Sequence, residues 1–309
     1  MELDFTSMTE RIKGSSLNIK SGKWRAFGWF LLTNAMILLS LAIISSGALI
    51  GLFPYVLLLG CAFPFIALWF SRWRAKRSHS IHVINVSDFR SEEERSLYEL
   101  VESIGRKAGL AQTPQIGVYD SEEVNAFATG ATRNRSLVAF SSGLIDTLDE
   151  RAIAAVAAHE IAHIANGDMV TLSLVQSVVN TIVLLCTLPL RVLGWLAFWL
   201  ADRNGEWVYG LITAARWLIT VFLVFLGSLA VKAFSRRREF EADRLAGELI
   251  DREAMVHALD SLRSRAPIVL RSQKAFAAFR INGEKRWLDL FSDHPSIERR
   301  IARLRQGAG

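Results

Sequence analysis

The stretch HEIAH, residues 159–163, carries two histidines four positions apart, with a glutamate next to the first. On an α-helix, side chains at positions i and i+4 lie on one face, so His159 and His163 can point their imidazoles at one metal ion. Neutral imidazoles suit zinc, and the neighbouring Glu160 can reach a water beside the ion. The pattern predicts a zinc hydrolase of the metalloprotease type. The alternative is two histidines packed on an ordinary alanine-rich helix.

The composition indicates a membrane protein. Hydrophobic residues make up 51% of the 309 positions, with 9 tryptophans and 18 phenylalanines. The net charge is +6, and the basic residues cluster beside apolar runs, which fits a membrane surface better than nucleic acid. No RNA-binding or helix-turn-helix pattern is visible, so no nucleic-acid partner is expected. Cys61 and Cys186 lie in apolar stretches and are predicted to be buried thiols.

The first apolar region, residues 26–73, is predicted to form a transmembrane hairpin. Its two halves, 26–50 and 51–73, are each long enough to cross a bilayer core of about 30 Å. Basic residues precede the hairpin and follow it, so the positive-inside rule places both of its ends in the cytoplasm.

The second apolar region contains the segments 169–190 and 208–231, and it is predicted to form another membrane hairpin. Arg216 lies within the second segment, where a charge in a bilayer is costly and needs an interface or a partner. The alternative is a pair of long core helices of the catalytic domain. Basic residues at 236–238 mark a second cytoplasmic edge, so the chain would return to the side that it left.

The intervening and following sequence is predicted to form one water-soluble metalloprotease domain in two parts. Strands are predicted at 81–87, 115–120 and 137–140, an amphipathic helix at 91–110, and a helix from Asp149 to Asn166 that carries HEIAH and ends at Gly167. Asp168 is interpreted as a helix-end residue rather than a partner of a metal ligand. The predicted organisation is a polar N-terminal segment (1–25), a transmembrane hairpin (26–73), the first part of the domain (74–168), the second apolar hairpin (169–231) and the second part of the domain (232–309).

A catalytic zinc site needs a third protein ligand. The chain has 6 histidines, and none stands at the spacing of an extended HExxH motif. The stretch EFEAD, 239–243, offers Glu239 as a ligand and Asp243 as a hydrogen-bond acceptor for the other nitrogen of a ligand histidine. Taken alone, EFEAD is more typical of a solvated acidic patch. The arginines before it mark the same side of the membrane as HEIAH, which favours the metal site.

HEIAHIANGDMV, an apolar hairpin and then SRRREFEAD together resemble the HtpX family of membrane zinc metalloproteases, which is related to the CAAX prenyl proteases. NAFATG (125–130), LVAFSSGLI (137–145) and the stretch 280–304 also resemble segments of that family. The resemblance implies a mainly α fold with a small β-sheet. It further implies an integral membrane protein with up to four transmembrane helices and a cytoplasmic zincin-like (gluzincin) metalloprotease domain.

The same resemblance assigns the site residues. It implies one Zn²⁺ per chain on His159, His163 and Glu239, with Glu160 as the catalytic base. It also implies an extended substrate strand near NAFATG, although that stretch by itself is more typical of a turn.

Two further site residues follow from the resemblance. Asn125 is implied as a substrate contact, and His294 is implied to approach the active site, where it could help to hold the tetrahedral oxyanion. The alternative for His294 is a solvent-facing histidine before a proline at a helix start.

The function implied is proteolytic quality control and stress response at a bacterial inner membrane, with misfolded or unassembled membrane proteins cut at cytoplasmic segments. One alternative is a prenyl-protein processing protease, which a larger set of spanning helices around a chamber would favour. Another is a membrane scaffold or chaperone with a residual structural zinc, which a damaged motif would favour. Oligomeric state is left open.

Overall fold

A computed structural model of the chain describes residues 4–12, 17, 28, 54–55, 58, 66–200, 206–269 and 295–307. Most of the predicted first hairpin, Cys61 and His294 lie outside the described residues. The chain divides into two compact units. We call residues 1–23, 68–170 and 235–309 the α/β unit, and residues 24–67 and 171–234 the apolar unit. The domain boundaries given above stay predictions.

The α/β unit contains a four-stranded mixed sheet. Its strands are β1 (His82–Val83), β2 (Gln115–Tyr119), β3 (Ala126–Thr132) and β4 (Arg135–Ser141), in the order β1-β2-β4-β3. The central pair, β2 and β4, is parallel, and the two outer pairs are antiparallel. β3 therefore lies at an edge of the sheet.

Most of the described residues are helical, as the sequence predicts. The helices are α1 (Thr6–Ile12), α2 (Ser71–Ser78), α3 (Glu92–Lys107), α4 (Ser142–Thr147), α5 (Glu150–Asn166), α6 (Asp168–Leu200), α7 (Glu206–Leu249), α8 (Arg252–Val269) and α9 (Ile297–Gln306). The mainly α class with a small sheet is thus confirmed.

Both faces of the sheet are covered. Alternate residues of β4 point to opposite faces, as strand geometry requires. Val138 and Phe140 join the main core with the helices, whereas Leu137 and Ala139 join a smaller cluster with Ile81. The sheet is therefore an inner layer of the unit, which explains why β4 is almost entirely buried.

Helix α5 is the central helix of this unit. Asp149 caps its first turn by accepting a hydrogen bond from the Ala152 N–H at 2.8 Å. Gly167 ends it in the left-handed conformation, with φ of 73°. Small alanine side chains line most of its surface, so α3, α8 and the sheet can pack closely around it. Both predicted ends of this helix agree with the structure.

The other predicted elements agree with the structure to different degrees. Helix α3 and strand β2 lie within the predicted stretches, and strand β4 contains the predicted stretch 137–140 and extends beyond it at both ends. The strand predicted at 81–87 is only the two residues of β1, because Asn85 and Asp88 form a local bridge instead of extending the sheet. Strand β3 covers most of NAFATG, a stretch whose small residues give little strand signal.

The N-terminal segment contributes to the core of the α/β unit. Phe5 and Ile12 are buried at either end of α1, which packs against α3. The Leu17 N–H also donates to the Lys107 carbonyl oxygen at 2.7 Å. The described part of this polar segment is therefore held by buried apolar side chains and by hydrogen bonds from the Asp4 and Leu17 N–H groups.

The apolar unit has the reverse distribution of side chains. Its parts of α6 and α7 carry large apolar side chains that face outward, among them Trp217, which is 63% exposed, and Phe222, which is 59% exposed. Ser177, Thr181 and Thr187 are buried, and each hydroxyl donates to the carbonyl oxygen four residues earlier.

By length and composition, both α6 and α7 could cross a membrane. The two helices approach closely where Gly227 faces Val179, because a Cβ at Gly227 would lie 2.2 Å from a Val179 methyl. Cys186 is exposed, so the predicted burial of this thiol is wrong. Its helix presents apolar side chains outward, and the thiol is one of them.

Candidate metal centre

Three metal-ligand atoms meet where α5 and α7 pack against each other. His159 and His163 come from α5, and Glu239 comes from α7. The two histidine Nε2 atoms are 3.2 Å apart, and the Glu239 carboxylate oxygens lie 3.6 and 3.4 Å from them. Zinc bonds of about 2.0–2.1 Å at tetrahedral angles place ligand atoms roughly 3.4 Å apart. The spacing therefore fits one zinc-sized ion.

The hydrogen bonds on the far side of each ring orient both Nε2 atoms towards that point. His159 Nδ1 lies 3.0 Å from Asp243, and His163 Nδ1 lies 2.5 Å from Asp168. An Nδ1–H that donates to a carboxylate leaves a lone pair on Nε2. Two such lone pairs and the Glu239 carboxylate then converge in a buried place, where they repel one another unless a cation lies between them. The donor set itself thus fits a metal.

Each supporting carboxylate is held in turn by an arginine. Arg300, on α9, donates two hydrogen bonds to Asp243, at 2.5 and 2.7 Å. Arg238 donates to the Asp168 backbone carbonyl at 2.9 Å and pairs with the Asp168 carboxylate. Each of the two candidate ligand histidines therefore contacts a carboxylate, and each carboxylate is bound in turn by a guanidinium group.

Asp168 corrects one interpretation made from the sequence. It does begin α6, but its carboxylate also contacts a ligand histidine. The reason lies in the preceding residue, because Gly167 in the left-handed conformation reverses the chain and returns Asp168 towards His163.

Burial and charge set the pKa values in opposite directions around the site. Burial raises the pKa of Asp243, but hydrogen bonds from Arg300 and His159 outweigh it and hold that pKa below its usual value. Burial lowers the pKa of His159, but without a metal ion its hydrogen bonds to Asp243 and Glu239 outweigh burial and raise that pKa, so a proton and a cation compete for Nε2. Burial also lowers the pKa of Arg238 to about 9.

Glu160 lies next to the edge strand. Burial raises the pKa of its carboxyl above the ordinary value, although the nearby His159 and His163 oppose that rise. The Ala128 N–H, on β3, donates a hydrogen bond to this carboxylate. The structure therefore places a carboxylate with a raised pKa between the metal ligands and an edge strand.

Asn125 immediately precedes this strand and is exposed. Its backbone N–H donates to the Ser141 hydroxyl, its carbonyl accepts from the Ser141 N–H, and its side chain hydrogen-bonds to Tyr119. Asn125 thus fixes the start of β3, and the substrate contact assigned to it stays a prediction. His294 lies outside the described residues, and its role also stays a prediction.

The structure brings together His159, Glu160, His163, Glu239 and Asp243, all of which the sequence patterns single out. Arg300, Arg238 and the Ala128 N–H were not foreseen. Arg300 lies 57 residues from its partner Asp243, so no local spacing could reveal the pair. The preceding left-handed glycine was the one available signal for Asp168.

Known proteins resemble this chain in sequence and in fold. Residues 91–308 match the sequence profile of Peptidase family M48. "Protease HtpX homolog" of Bacillus subtilis is 40% identical over 89% of this chain and 97% of its own length. "Protease HtpX" of Escherichia coli O1:K1 / APEC is 40% identical over 90% of this chain and 97% of its own length. The crystal structure of S. mikatae Ste24p has a TM-score of 0.56 and 16% identity, and the match covers 97% of this chain and 70% of that one. This last likeness concerns the fold alone.

Proposed function

The chain belongs to peptidase family M48 and to its HtpX proteases, and is thus a membrane-associated metallopeptidase; on that premise we propose that it is a zinc-dependent endopeptidase. Its proposed ligands are His159, His163 and Glu239, with one zinc ion per chain. The observation that supports this set best is the convergence of two Nε2 lone pairs and a carboxylate at tetrahedral spacing.

Glu160 is the proposed catalytic base. A zinc ion bound by the three ligands would supply Lewis acidity to the scissile carbonyl and to the attacking water. Glu160 accepts a proton from that water and returns it to the leaving amine. Its position beside His159 and His163 suits this role, because a general base must lie within reach of the water that it deprotonates. His294 is proposed to stabilise the oxyanion.

The edge strand β3 is the proposed substrate platform. An edge strand can pair with an extended peptide through its free backbone groups. The Ala128 N–H of β3 donates a hydrogen bond to the Glu160 carboxylate. A peptide lying along β3 would therefore pass beside Glu160. Asn125, at the start of the strand, is the proposed contact at one end of that peptide.

We also propose where the protein lies in the cell. Four transmembrane helices, the two apolar segments of 26–73 and the cores of α6 and α7, would cross a bacterial inner membrane. The termini and the metal centre would face the cytoplasm. The outward apolar side chains of the apolar unit support crossing by α6 and α7, because soluble proteins rarely expose apolar surface on this scale. Basic residues at 236–238 support the orientation.

The proposed substrates are misfolded or unassembled membrane proteins, cut at cytoplasmic segments as part of quality control under stress. An open edge strand supports this choice, since pairing through backbone groups needs an extended and unfolded segment but little particular sequence. Faster cleavage of an unassembled membrane protein than of its assembled form is the expected result. Equal rates would contradict this substrate class.

The decisive test is Glu160→Gln. The purified full chain in detergent is given an unfolded membrane protein, with zinc, with a chelator, and beside Glu160→Gln at equal zinc content. We expect cleavage that depends on zinc and that falls by roughly 10²- to 10⁴-fold in the variant. Glu102→Gln, at a surface ion pair of α3, is the matched control and keeps the wild-type rate. Retained turnover in Glu160→Gln would overturn the mechanism.

A further inference from the structure

A cavity of about 290 Å³ lies between α6 and α7 in the apolar unit. Arg191 and Arg216 line it from the two helices, together with Trp195, Tyr209 and Thr213. Gly194 also lines the cavity, next to Ile212 of α7. The cavity therefore combines two guanidinium groups with aromatic rings and hydroxyls on an otherwise apolar hairpin.

The positions of Arg191 and Arg216 along α6 and α7 would place both side chains at a bilayer surface. The residues Lys232 and Arg236 stand 16 and 20 positions after Arg216 on α7, which corresponds to about 24 and 30 Å at 1.5 Å per residue. Arg191 follows the uncharged stretch 169–190, which is about 33 Å long by the same rise. A hydrocarbon core is about 30 Å thick. With Arg236 at one membrane surface, Arg191 and Arg216 reach the level of the lipid phosphates at the other.

The aromatic side chains near the cavity also indicate that this end of the hairpin lies at a membrane surface. Trp195, Trp199 and Trp207 are all more than 60% exposed and stand close to the turn between the two helices. Phe198 packs on Tyr209 with ring centroids 5.7 Å apart. Tryptophan and tyrosine are typical of the boundary between hydrocarbon and headgroups. This end of the hairpin therefore has the composition of an interface and not of a bilayer centre.

The cavity carries positive charge that no described acidic side chain neutralises. Neither Arg191 nor Arg216 forms an ion pair within the described part of the chain. Glu206, on the same helix as Arg216, precedes it by ten residues, or about 15 Å along the axis. Guanidinium groups bind phosphate oxygens through paired hydrogen bonds, and the hydroxyls of Tyr209 and Thr213 add further donors.

We propose that this cavity binds the phosphate of an anionic phospholipid, in the leaflet opposite the one next to Arg236. The acyl chains would lie along the outward apolar side chains of the hairpin. Two positive charges favour an anionic lipid over a zwitterionic one, whose headgroup cation would be repelled. The level at one hydrocarbon thickness favours a lipid phosphate over a soluble one. The inference rests on the proposed crossing of the membrane by α6 and α7.

The experiment measures lipid binding to the purified full chain by native mass spectrometry in detergent. The chain is titrated with phosphatidylglycerol, with phosphatidylcholine, and with phosphatidylglycerol in the presence of inorganic phosphate. The variants are Arg191→Gln/Arg216→Gln, its conservative partner Arg191→Lys/Arg216→Lys, and Lys232→Gln as a matched loss of positive charge elsewhere on α7. Thermal unfolding verifies that each variant is folded.

We expect one phosphatidylglycerol to bind with preference over phosphatidylcholine. Its affinity should fall about tenfold or more in the Gln pair, fall less in the Lys pair, and stay unchanged in Lys232→Gln. Equal binding of the two lipids, or wild-type binding by the Gln pair, would overturn the proposal. Displacement by millimolar inorganic phosphate would overturn the choice of a lipid. Peptide cleavage by the Gln pair should equal that of wild type, so a failure of lipid binding is distinguishable from a failure of the proposed peptidase function.

Discussion

The α/β unit and the apolar unit distribute polar and apolar side chains in opposite ways. In the α/β unit, alanine, leucine and isoleucine fill the core, and the few buried charges, such as Asp168 and Asp243, are joined to arginines and metal ligands. In the apolar unit, tryptophan and phenylalanine face outward, and buried hydroxyls bond to their own helix. The outward apolar side chains of the apolar unit support the proposed membrane crossing, whereas the buried charges of the α/β unit lie at the candidate metal centre.

The largest effect is expected from removing a charged ligand in the α/β unit. Glu239→Ala leaves two histidine ligands, so bound zinc should fall from one per chain to nearly none in elemental analysis of the purified protein. Glu241→Ala is the matched control, because Glu241 is exposed on the same helix and pairs only with the surface residue Arg244 among the described residues. Unchanged zinc in Glu239→Ala would place the third ligand elsewhere.

A new charge should distinguish the two units most directly. Phe222→Lys in the apolar unit and Val86→Lys in the α/β unit alter side chains of similar exposure, 59% and 56%. A lysine at the centre of a spanning helix costs about 3 kcal/mol of insertion free energy, whereas a lysine facing water costs little. Carbonate extraction of cell membranes should therefore release part of the Phe222→Lys protein and none of the Val86→Lys protein. Equal retention of the two variant proteins in the membrane fraction would contradict the proposed difference between the two units.

The supports of the metal ligands should have a smaller but measurable effect. Asp168→Asn removes the anionic acceptor at His163 Nδ1, and we expect zinc affinity to fall by about 10- to 100-fold in a chelator competition assay. Asp146→Asn, at an exposed position of α4, should leave the affinity unchanged. Wild-type affinity in Asp168→Asn would mean that the contact does not orient the ring.

The last comparison concerns buried hydroxyls, and the smallest expected effect is that of Thr181→Val in the apolar unit. Ser141 joins separate parts of the α/β unit, since its hydroxyl donates to the Glu123 carbonyl and accepts from the Asn125 and Leu144 N–H groups. Ser141→Ala should lower the free energy of unfolding by about 1–3 kcal/mol, because buried groups lose their partners. Thr181→Val in the apolar unit removes only a bond within one helix, to the Ser177 carbonyl, and should cost less than about 0.5 kcal/mol. Denaturant titration of the two variants in detergent tests this order.

Local patterns predicted much of the site and the support from Asp243, but not the support from Asp168 or from the two arginines. The ends of α5 follow from Asp149 and Gly167, and the ligand pair follows from helical spacing. Glu239 followed from the argument that the chain returns to one side of the membrane. Arg300 could not be foreseen, because only the packing of α9 brings it to Asp243.

The secondary structure was also predictable in part from the sequence. The amphipathic stretch 91–110 and the apolar segments 169–190 and 208–231 are helical as predicted, although α6 and α7 extend well past those two segments. Most of the predicted hairpin 26–73 lies outside the described residues. The predicted segments ended at charged residues. A helix can nevertheless continue past a charged residue when that side chain contacts water, a lipid headgroup or a partner. Strand β3 was missed for the opposite reason, because its small residues carry little information and its pairing with β4 decides its structure.

The separation of the metal ligands along the chain has a consequence for biosynthesis. Glu239 is made about 80 residues after Glu160, and the intervening residues are those of the apolar hairpin. At about 5–20 residues per second, the HEIAH helix waits roughly 4–16 s for its third ligand, and longer for Arg300. A nascent chain without Glu239 lacks the proposed third zinc ligand, so we expect it to be inactive as a peptidase. The order of translation itself delays peptidase activity until the hairpin has been synthesised.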